Sequence, residues 1–397
     1  MMRRTTPRLT GLMLTLLVIE FIDEFIYGAR EAAWPLIRDD LSLSYIQVGV
    51  LLSAPNLVAN VVEPFFGILG DVWRRRALIL GGGVVFAAAL ALTAVSNSFS
   101  LILAAFILFH PASGAFVSLS QATLMDANPD RHEHNMARWT LAGSIGVVTG
   151  ALALGAGAAA GIGWRWVFVA TAAATVVAVV AAARMPLDGA SGPRRTEPFM
   201  AAFRRGLMDA LRTFKRLPVL RWLILLEFSD LMLDGLHGYL ALYFVDVVGA
   251  GEAKAALGVA VWTGVGLVGD VLLIPLLERV RGLTYLRFSV VAELVLFPTF
   301  LLVPGLGPKL VIVALLGFAN AGWYSILQGQ LYSAMPGQSG TALAVKNISG
   351  LAGSLMPLGI GAAARAWGLG TALWLMLAGP IVLLVGMPRR SEETAAS

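Results

Sequence analysis

Residues 9–37 read LTGLMLTLLVIEFIDEFIYGAREAAWPLI, an apolar run with Glu20, Asp23 and Glu24 at its middle. About 20 such residues in a helix cross the hydrocarbon core of a bilayer. An ionised side chain at the centre costs about 2.5–3.5 kcal/mol, so acids there are rare. This rare pattern occurs twice. Glu20-Phe21-x-Asp23, followed by Gly28, returns as Glu227-Phe228-x-Asp230, followed by Gly235, at an offset of 207 residues.

The same offset holds further along the chain. Glu63 maps to Asp270, Asp71 to Glu278 and Arg74 to Arg281. Ser118, Gln121, Leu124, Ala127 and Pro129 map to Ser325, Gln328, Leu331, Ala334 and Pro336, and Ala137, Gly143 and Gly146 map to Ala344, Gly350 and Gly353. Matches of Leu or Ala are cheap in so apolar a chain. Matched intramembrane acids are not, and they point to a duplicated six-helix unit.

Composition agrees with a lipid environment. The 397 residues are 58% hydrophobic and 13% charged, and the mean hydropathy is +0.79. Soluble domains carry about 25% charged residues. Twelve apolar stretches are expected to span, at 9–37, 44–70, 76–95, 98–125, 136–161, 164–184, 218–247, 254–277, 284–303, 308–333, 340–363 and 367–387. Helices satisfy their own backbone in lipid, and the alternating pattern of barrel strands is missing. The expected fold is an all-α polytopic membrane protein of two pseudo-symmetric bundles. Residues 1–184 form the first bundle, 185–217 a basic linker, and 218–397 the second bundle with a short tail. The first span is longer than a signal-peptide core and carries acids, so no cleavable signal is expected.

Basic residues set the expected orientation. Arg3, Arg4 and Arg8, Arg74 to Arg76, Arg279 and Arg281, and Arg389 and Arg390 fall on one side if the spans alternate. The linker bases Arg194, Arg195, Arg204, Arg205, Arg212, Lys215 and Arg216 join them. The other side holds Arg30, Arg38, Arg165, Lys254, Lys309 and Arg365. The positive-inside rule then makes both termini and the linker cytoplasmic. In the linker, Phe199, Phe203, Leu207, Leu211 and Phe214 recur at helical spacing, which predicts a basic amphipathic helix on the membrane surface. Heavy Ala, Gly and Arg usage suits a bacterial source, and hence a bacterial inner membrane. The bases lie in short juxtamembrane segments, which argues against nucleic acid as a partner.

The stretch Gly67-Ile-Leu-Gly70-Asp71-Val-Trp-Arg74-Arg75-Arg76 resembles the signature between helices two and three of the major facilitator superfamily. Gly67, Asp71, Arg75 and Arg76 match it, whereas Val72 replaces a usual base and Arg74 a usual glycine. The resemblance implies the twelve-helix major facilitator fold and a secondary transporter that works as a monomer by alternating access. It implies a small-molecule site near the midplane between the repeats. It also implies a conformational latch at Gly67, Asp71, Arg75 and Arg76, with Glu278 and Arg281 in the second repeat; topology alone is the other account of these bases. Gly146-Val-Val-Thr-Gly150-Ala151, with Gly155 beyond, resembles the antiporter motif of drug exporters, with Ala151 where Pro is usual. The span-four Arg of those exporters is absent, and His110 is the nearest base. Tight helix packing accounts for these glycines equally well.

The candidate substrate- or proton-binding residues follow from intramembrane polarity. Glu20, Asp23, Glu24, Tyr27, Arg30 and Glu31 share one helical face, and Glu227, Asp230, Asp234 and His237 share another. Asn56, Asn60 and Glu63 add a face in span two, and Asp270 an acid in span eight. Bases within the spans are few (Arg138, Lys346, His110 and His237), so some acids are expected to hold protons or to await a cationic partner. Each acid has a structural alternative, a charge pair within the bundle. Arg30 with Glu31, and Asp234 with His237, are such pairs. Gln121, Trp323, Tyr324, Gln328 and Asn347 are further candidates, since aromatic rings stack on flat or cationic groups; packing or interface anchoring is their alternative.

The leading expectation is a proton-coupled transporter that exports small organic amphipathic or cationic compounds. A lysophospholipid-like substrate, nutrient or metal-cation uptake, and a non-transporting receptor are the alternatives. The chain lacks HExxH, GxSxG and P-loop motifs, so neither an enzyme nor an ATP-driven pump is expected. No cofactor or resident metal is expected, and the absence of cysteine removes disulfides and thiolate sites.

Overall fold

The structure is a computed structural model that describes residues 7–72, 75–127, 132–185, 187, 201, 204, 208, 212, 216–335 and 339–388. The described segments are helical and group into twelve runs. The first repeat contains α1 (Pro7–Asp40), α2 (Tyr45–Val72), α3 (Arg75–Ala94), α4, α5 (His132–Ala159) and α6 (Arg165–Ala183). Run α4 joins Phe99–Ser113 to Leu119–Ala127 through a π-helical turn, Gly114–Ser118. The second repeat begins with α7, in which Leu217–Asp230 and Leu236–Asp246 flank a π-helical turn, Leu231–Gly235. It continues with α8 (Glu252–Leu277), α9 (Gly282–Leu302), α10 (Leu306–Asn320 then Trp323–Ser333) and α11 (Ser339–Gly353 then Met356–Trp367). Run α12 comprises Leu369–Ala372, a 3₁₀ turn Leu373–Leu377 and Ala378–Gly386.

Among the described residues nine helices are long and apolar enough to cross a membrane. The three runs outside that set are α1, α7 and α11, which carry Glu20 to Glu31, Glu227 to Asp234, and Lys346. The outer surface is apolar: Val177, Phe288, Val295, Val311 and Val385 are all exposed. Water would penalise such a surface, whereas lipid does not.

Packing repeats as the sequence does. In the first repeat α1 lies against α5 and α6, α2 against α4, and α3 against α4 and α6. In the second, α7 lies against α11 and α12, α8 against α10, and α9 against α10 and α12. Between repeats α5 packs on α8 and α2 on α11, which are equivalent pairs. The closest crossing is α1 on α5. A methyl group at Gly150 would stand 1.9 Å from the Phe25 carbonyl oxygen, and one at Gly28 2.1 Å from that of Val147. Glycine here lets two backbones touch.

Polar contacts between repeats run from mid-helix to the end remote from the chain termini. Tyr27 meets Asp234 and His237, and the Ser53 hydroxyl accepts from the Leu358 amide at 3.0 Å. At the remote rim Arg38 pairs with Asp246, which also accepts from the Tyr45 hydroxyl at 2.6 Å. The Arg38 guanidinium stacks over the Tyr45 ring, 4.5 Å from its centroid.

Within the linker stretch 188–215, residues 201, 204, 208 and 212 are helical and exposed. The expected amphipathic residues Phe199, Phe203, Leu207, Leu211 and Phe214 lie outside the described residues.

Candidate functional site

A cavity of about 600 Å³ lies between the repeats, at mid-bundle and toward the end bearing the termini. Run α1 contributes Glu20, Asp23, Glu24 and Tyr27, α2 Glu63, α7 Asp234 and His237, and α8 Trp262, Thr263 and Asp270. Runs α4 and α5 add Ser113, Gln121, Trp139, Thr140 and Ser144, and α10 adds Asn320. Six carboxyl side chains therefore line one chamber, and among the described residues no lysine or arginine does.

The backbone makes room for these acids. A methyl group at Gly143 would stand 2.7 Å from a Glu20 carboxylate oxygen, and one at Gly114 2.8 Å from Glu63 Cγ. Gly114 opens the π-helical turn of α4, a distortion often found where a helix borders a functional site. At the equivalent place in α10 the helix breaks at Ala321 and Gly322, and Gly322 has φ +74°. That left-handed conformation favours glycine. Its freed N–H donates to Asp270 Oδ1 at 2.9 Å. The symmetry-related acids Glu63 and Asp270 thus sit on symmetry-related helix irregularities. Asp23 Oδ1 accepts from the Ser113 hydroxyl at 2.8 Å.

The floor is Tyr27. Its hydroxyl lies 3.5 Å from Asp234 Oδ1 and 3.3 Å from His237 Nδ1, and the His237 ring meets Trp262 edge-on at 5.3 Å. Asp234 and His237, paired in expectation along their own helix, are instead both engaged by Tyr27. Beyond the floor is a second chamber of about 110 Å³, bordered by Arg30, Glu31, Asn56 and His110. Arg30 pairs there with Glu31 at 2.7 Å and approaches His110 Nε2 at 3.0 Å. Glu31 also accepts from the Trp34 indole at 2.9 Å. Arg30 and Glu31 pair as expected, but both are buried. Arg30 is thus held by Glu31 beyond the floor, and it does not line the main cavity.

Other candidates lie elsewhere. Glu227 faces Gly353, where a side chain would collide with its carboxylate. Asp230 closes the first segment of α7, outside the lining. Lys346 donates to the Tyr324 hydroxyl and lies 4.4 Å from that ring's centroid. Trp323 is fully buried and donates to Ser289 Oγ at 2.8 Å. Gln328 and Asn347 do not line the cavity, and the exposed Arg138 contacts Met13 Sδ. The break before Trp323 accounts for the α10 set, because Gly322 turns the following helix away from the cavity. Of the expected latch, the side chains of Gly67 and Asp71 lie outside the described residues. Arg75 is buried, and Arg76 donates to the Met185 carbonyl at 3.2 Å and to that of Ala183, fastening α3 to the end of α6. Glu278 and Arg281 are exposed.

Trp139, Trp262, Thr263 and Asn320 join the lining without having been singled out in the sequence. Tryptophan within a span was the available signal for the first two.

Two homologous six-helix repeats around a polar chamber, closed at one end, define a membrane transporter of the alternating-access class. The profile of the Major Facilitator Superfamily matches residues 16–357. The chain belongs to that superfamily, and it is a secondary transporter rather than an enzyme. Solved structures of the same fold include a variant of the nucleoside transporter NupG, with a TM-score of 0.78 at 12% identity over 94% of this chain and 98% of that one. A bacterial homolog of the human lysosomal transporter Spinster, in an inward-facing and occupied conformation, gives a TM-score of 0.75 at 15% identity over 96% of both chains. No curated protein sequence matches the chain.

Proposed function

We propose that this transporter exchanges protons for small organic cations or cationic amphiphiles and exports them. One observation carries the reading: among the described residues, six carboxyl groups and no lysine or arginine line a chamber of about 600 Å³. That volume suits a drug-sized ligand, for which pockets of about 300–1,000 Å³ are usual. Trp139, Trp262 and Tyr27 offer rings on which a cation or flat group stacks. Protons and a cation compete for the same carboxylates, which is the simplest form of exchange.

The remaining terms of the proposal rest on sequence. Basic residues favour a cytoplasmic location for both termini in a bacterial inner membrane, and the cavity then loads from the cytoplasm. Export also rests on the partial antiporter motif at Gly146 to Gly155. A working monomer is what the superfamily resemblance implies.

The test is thermal stability of the detergent-purified protein against cationic, zwitterionic, anionic and neutral compounds, nucleosides included, for wild type and Asp23→Asn. A ligand at about 100 times its dissociation constant adds roughly 2.7 kcal/mol. Cations are expected to stabilise wild type and to lose much of that effect in the variant. Stabilisation only by nucleosides, lysophospholipids or anions, unchanged in Asp23→Asn, would sink the cation reading.

A further inference from the structure

Glu293 lies in the middle of α9, outside the cavity lining, and is fully buried. Among the described residues neither carboxyl oxygen has a partner within hydrogen-bond distance. The polar group facing it is the carboxamide of Asn320 on α10, whose oxygen and nitrogen are likewise unpartnered and which is 5% exposed. Asn320 also lines the cavity, so it stands between Glu293 and the central chamber. Among the described residues no lysine, arginine or histidine faces Glu293. The nearby groups of α9 are otherwise engaged: Tyr285 donates to the Ala321 carbonyl, and Arg287 to that of Pro388. Asp270, from α8, holds the Gly322 amide. Run α12, which packs on α9, contributes no titratable residue between Leu369 and Gly386.

The other repeat shows what the fold itself requires at this place. Phe86 occupies the position equivalent to Glu293, and it packs on Phe109 at 4.7 Å and Phe116 at 6.0 Å. An aromatic cluster fills the site there, so the architecture has no need of an acid. A buried, unpaired acid works against stability, and within a span it marks function by default. The helix break lies directly beside it. Asn320 ends the first segment of α10, and Ala321 and Gly322 form the break, held by Tyr285 on one side and Asp270 on the other.

We propose that Glu293 is a proton-binding site of the transport cycle, separate from the cavity carboxyls and opened to cavity water when α10 bends at Ala321–Gly322 and Asn320 turns aside. The proton moves from cavity water to a Glu293 oxygen and returns by the same route in the opposite conformation. No other bond changes. The proposal rests on the proton coupling advanced above and assigns it a second site.

The experiment uses wild type, Glu293→Gln and Glu293→Leu in liposomes, with tetraphenylphosphonium as the probe cation. It has three readouts: accumulation driven by a pH gradient, counterflow without a gradient, and the infrared carbonyl-stretch band of protonated carboxylic acids. Glu293→Gln is expected to lose gradient-driven accumulation, to keep wild-type counterflow, and to lack one infrared band. Glu293→Leu is expected to melt no lower than wild type, which a merely structural acid would not allow. Wild-type accumulation by Glu293→Gln, or an unchanged infrared spectrum, overturns the proposal. If wild type itself moves no tetraphenylphosphonium, the cation reading fails in that arm. The infrared band still decides whether Glu293 holds a proton.

Discussion

Tyr27 and Asp234 stand at equivalent positions of the two repeats, 207 residues apart, and face one another with 3.5 Å between Tyr27 Oη and Asp234 Oδ1. The pseudo-two-fold axis passes between them. A phenol on one side and a carboxyl group on the other break the symmetry at a level where the two repeats meet.

Tyr27→Phe keeps the ring and removes the hydroxyl contacts to Asp234 and His237. Neutral hydrogen bonds contribute about 0.5–1.5 kcal/mol each, which shifts a two-state population by roughly two- to tenfold. The variant is expected to open the remote end more often. The chain has no native cysteine, so spin labels on cysteines introduced at Ser42 and Val247 report alone. A longer label distance in Tyr27→Phe is the expected result.

At the remote rim, Arg38→Ala removes the pairing with Asp246 and the stacking on Tyr45. Pairs this exposed contribute about 0.2–1 kcal/mol. The same labels should show a smaller shift than in Tyr27→Phe. A larger shift would place the main closure at the rim rather than at the cavity floor.

Cation affinity is expected to rise with pH, since a cation binds the carboxylate form and protons compete for it. The sign is the same for Glu63 and Asp270, which line the cavity together. Tryptophan fluorescence titrations with tetraphenylphosphonium at several pH values test this, because Trp139 and Trp262 line the site. Glu63→Gln and Asp270→Asn should each weaken the pH dependence. An affinity independent of pH in wild type contradicts competition.

Gly150→Ala drives a methyl group into the Phe25 carbonyl, whereas Gly81→Ala meets nothing within 4 Å. Overpacking costs about 1–3 kcal/mol, and backbone on the receiving side gives little. Gly150→Ala should melt markedly lower than wild type, and Gly81→Ala should not.

Lys309, in the first turn of α10, is buried against the end of α9 and donates to the carbonyls of Phe300 and Leu301 and to the Tyr243 hydroxyl at 2.8 Å. Hydrogen bonds to a charged group contribute about 1.5–3 kcal/mol. Lys309→Met is expected to lower the melting temperature while leaving counterflow intact. Loss of transport at unchanged stability would assign this lysine another role.

The sequence made the repeat legible because intramembrane acids are too rare to match by accident at one offset. Glu20, Asp23, Glu63 and Asp270 carry that signal and border the cavity, whereas Glu24 and Asp234, which answer to Leu231 and Tyr27 in the other repeat, stand out by sharing a helical face with matched acids. The interruptions of α4, α7 and α10 were not legible. A π-helical turn leaves no mark in hydropathy, and Gly322 is one glycine among 43. That blind spot accounts for Trp323, Tyr324 and Gln328, which helical spacing groups with the polar residues and the break turns elsewhere. Glu293 escaped for a different reason. It answers to Phe86 in the other repeat and shares its helix with no other acid, so neither the offset nor a common helical face marks it. Its position within an apolar run was the signal available.

The α1–α5 crossing has a mechanical consequence. Backbone touching backbone at Gly28 and Gly150 leaves no slack, so these two helices move together or not at all. Among the described residues the second repeat is interrupted within α7, α10, α11 and α12, and the first within α4. Bending during the cycle is therefore expected to concentrate in one jaw, with the first repeat as the anvil and the second supplying the compliance.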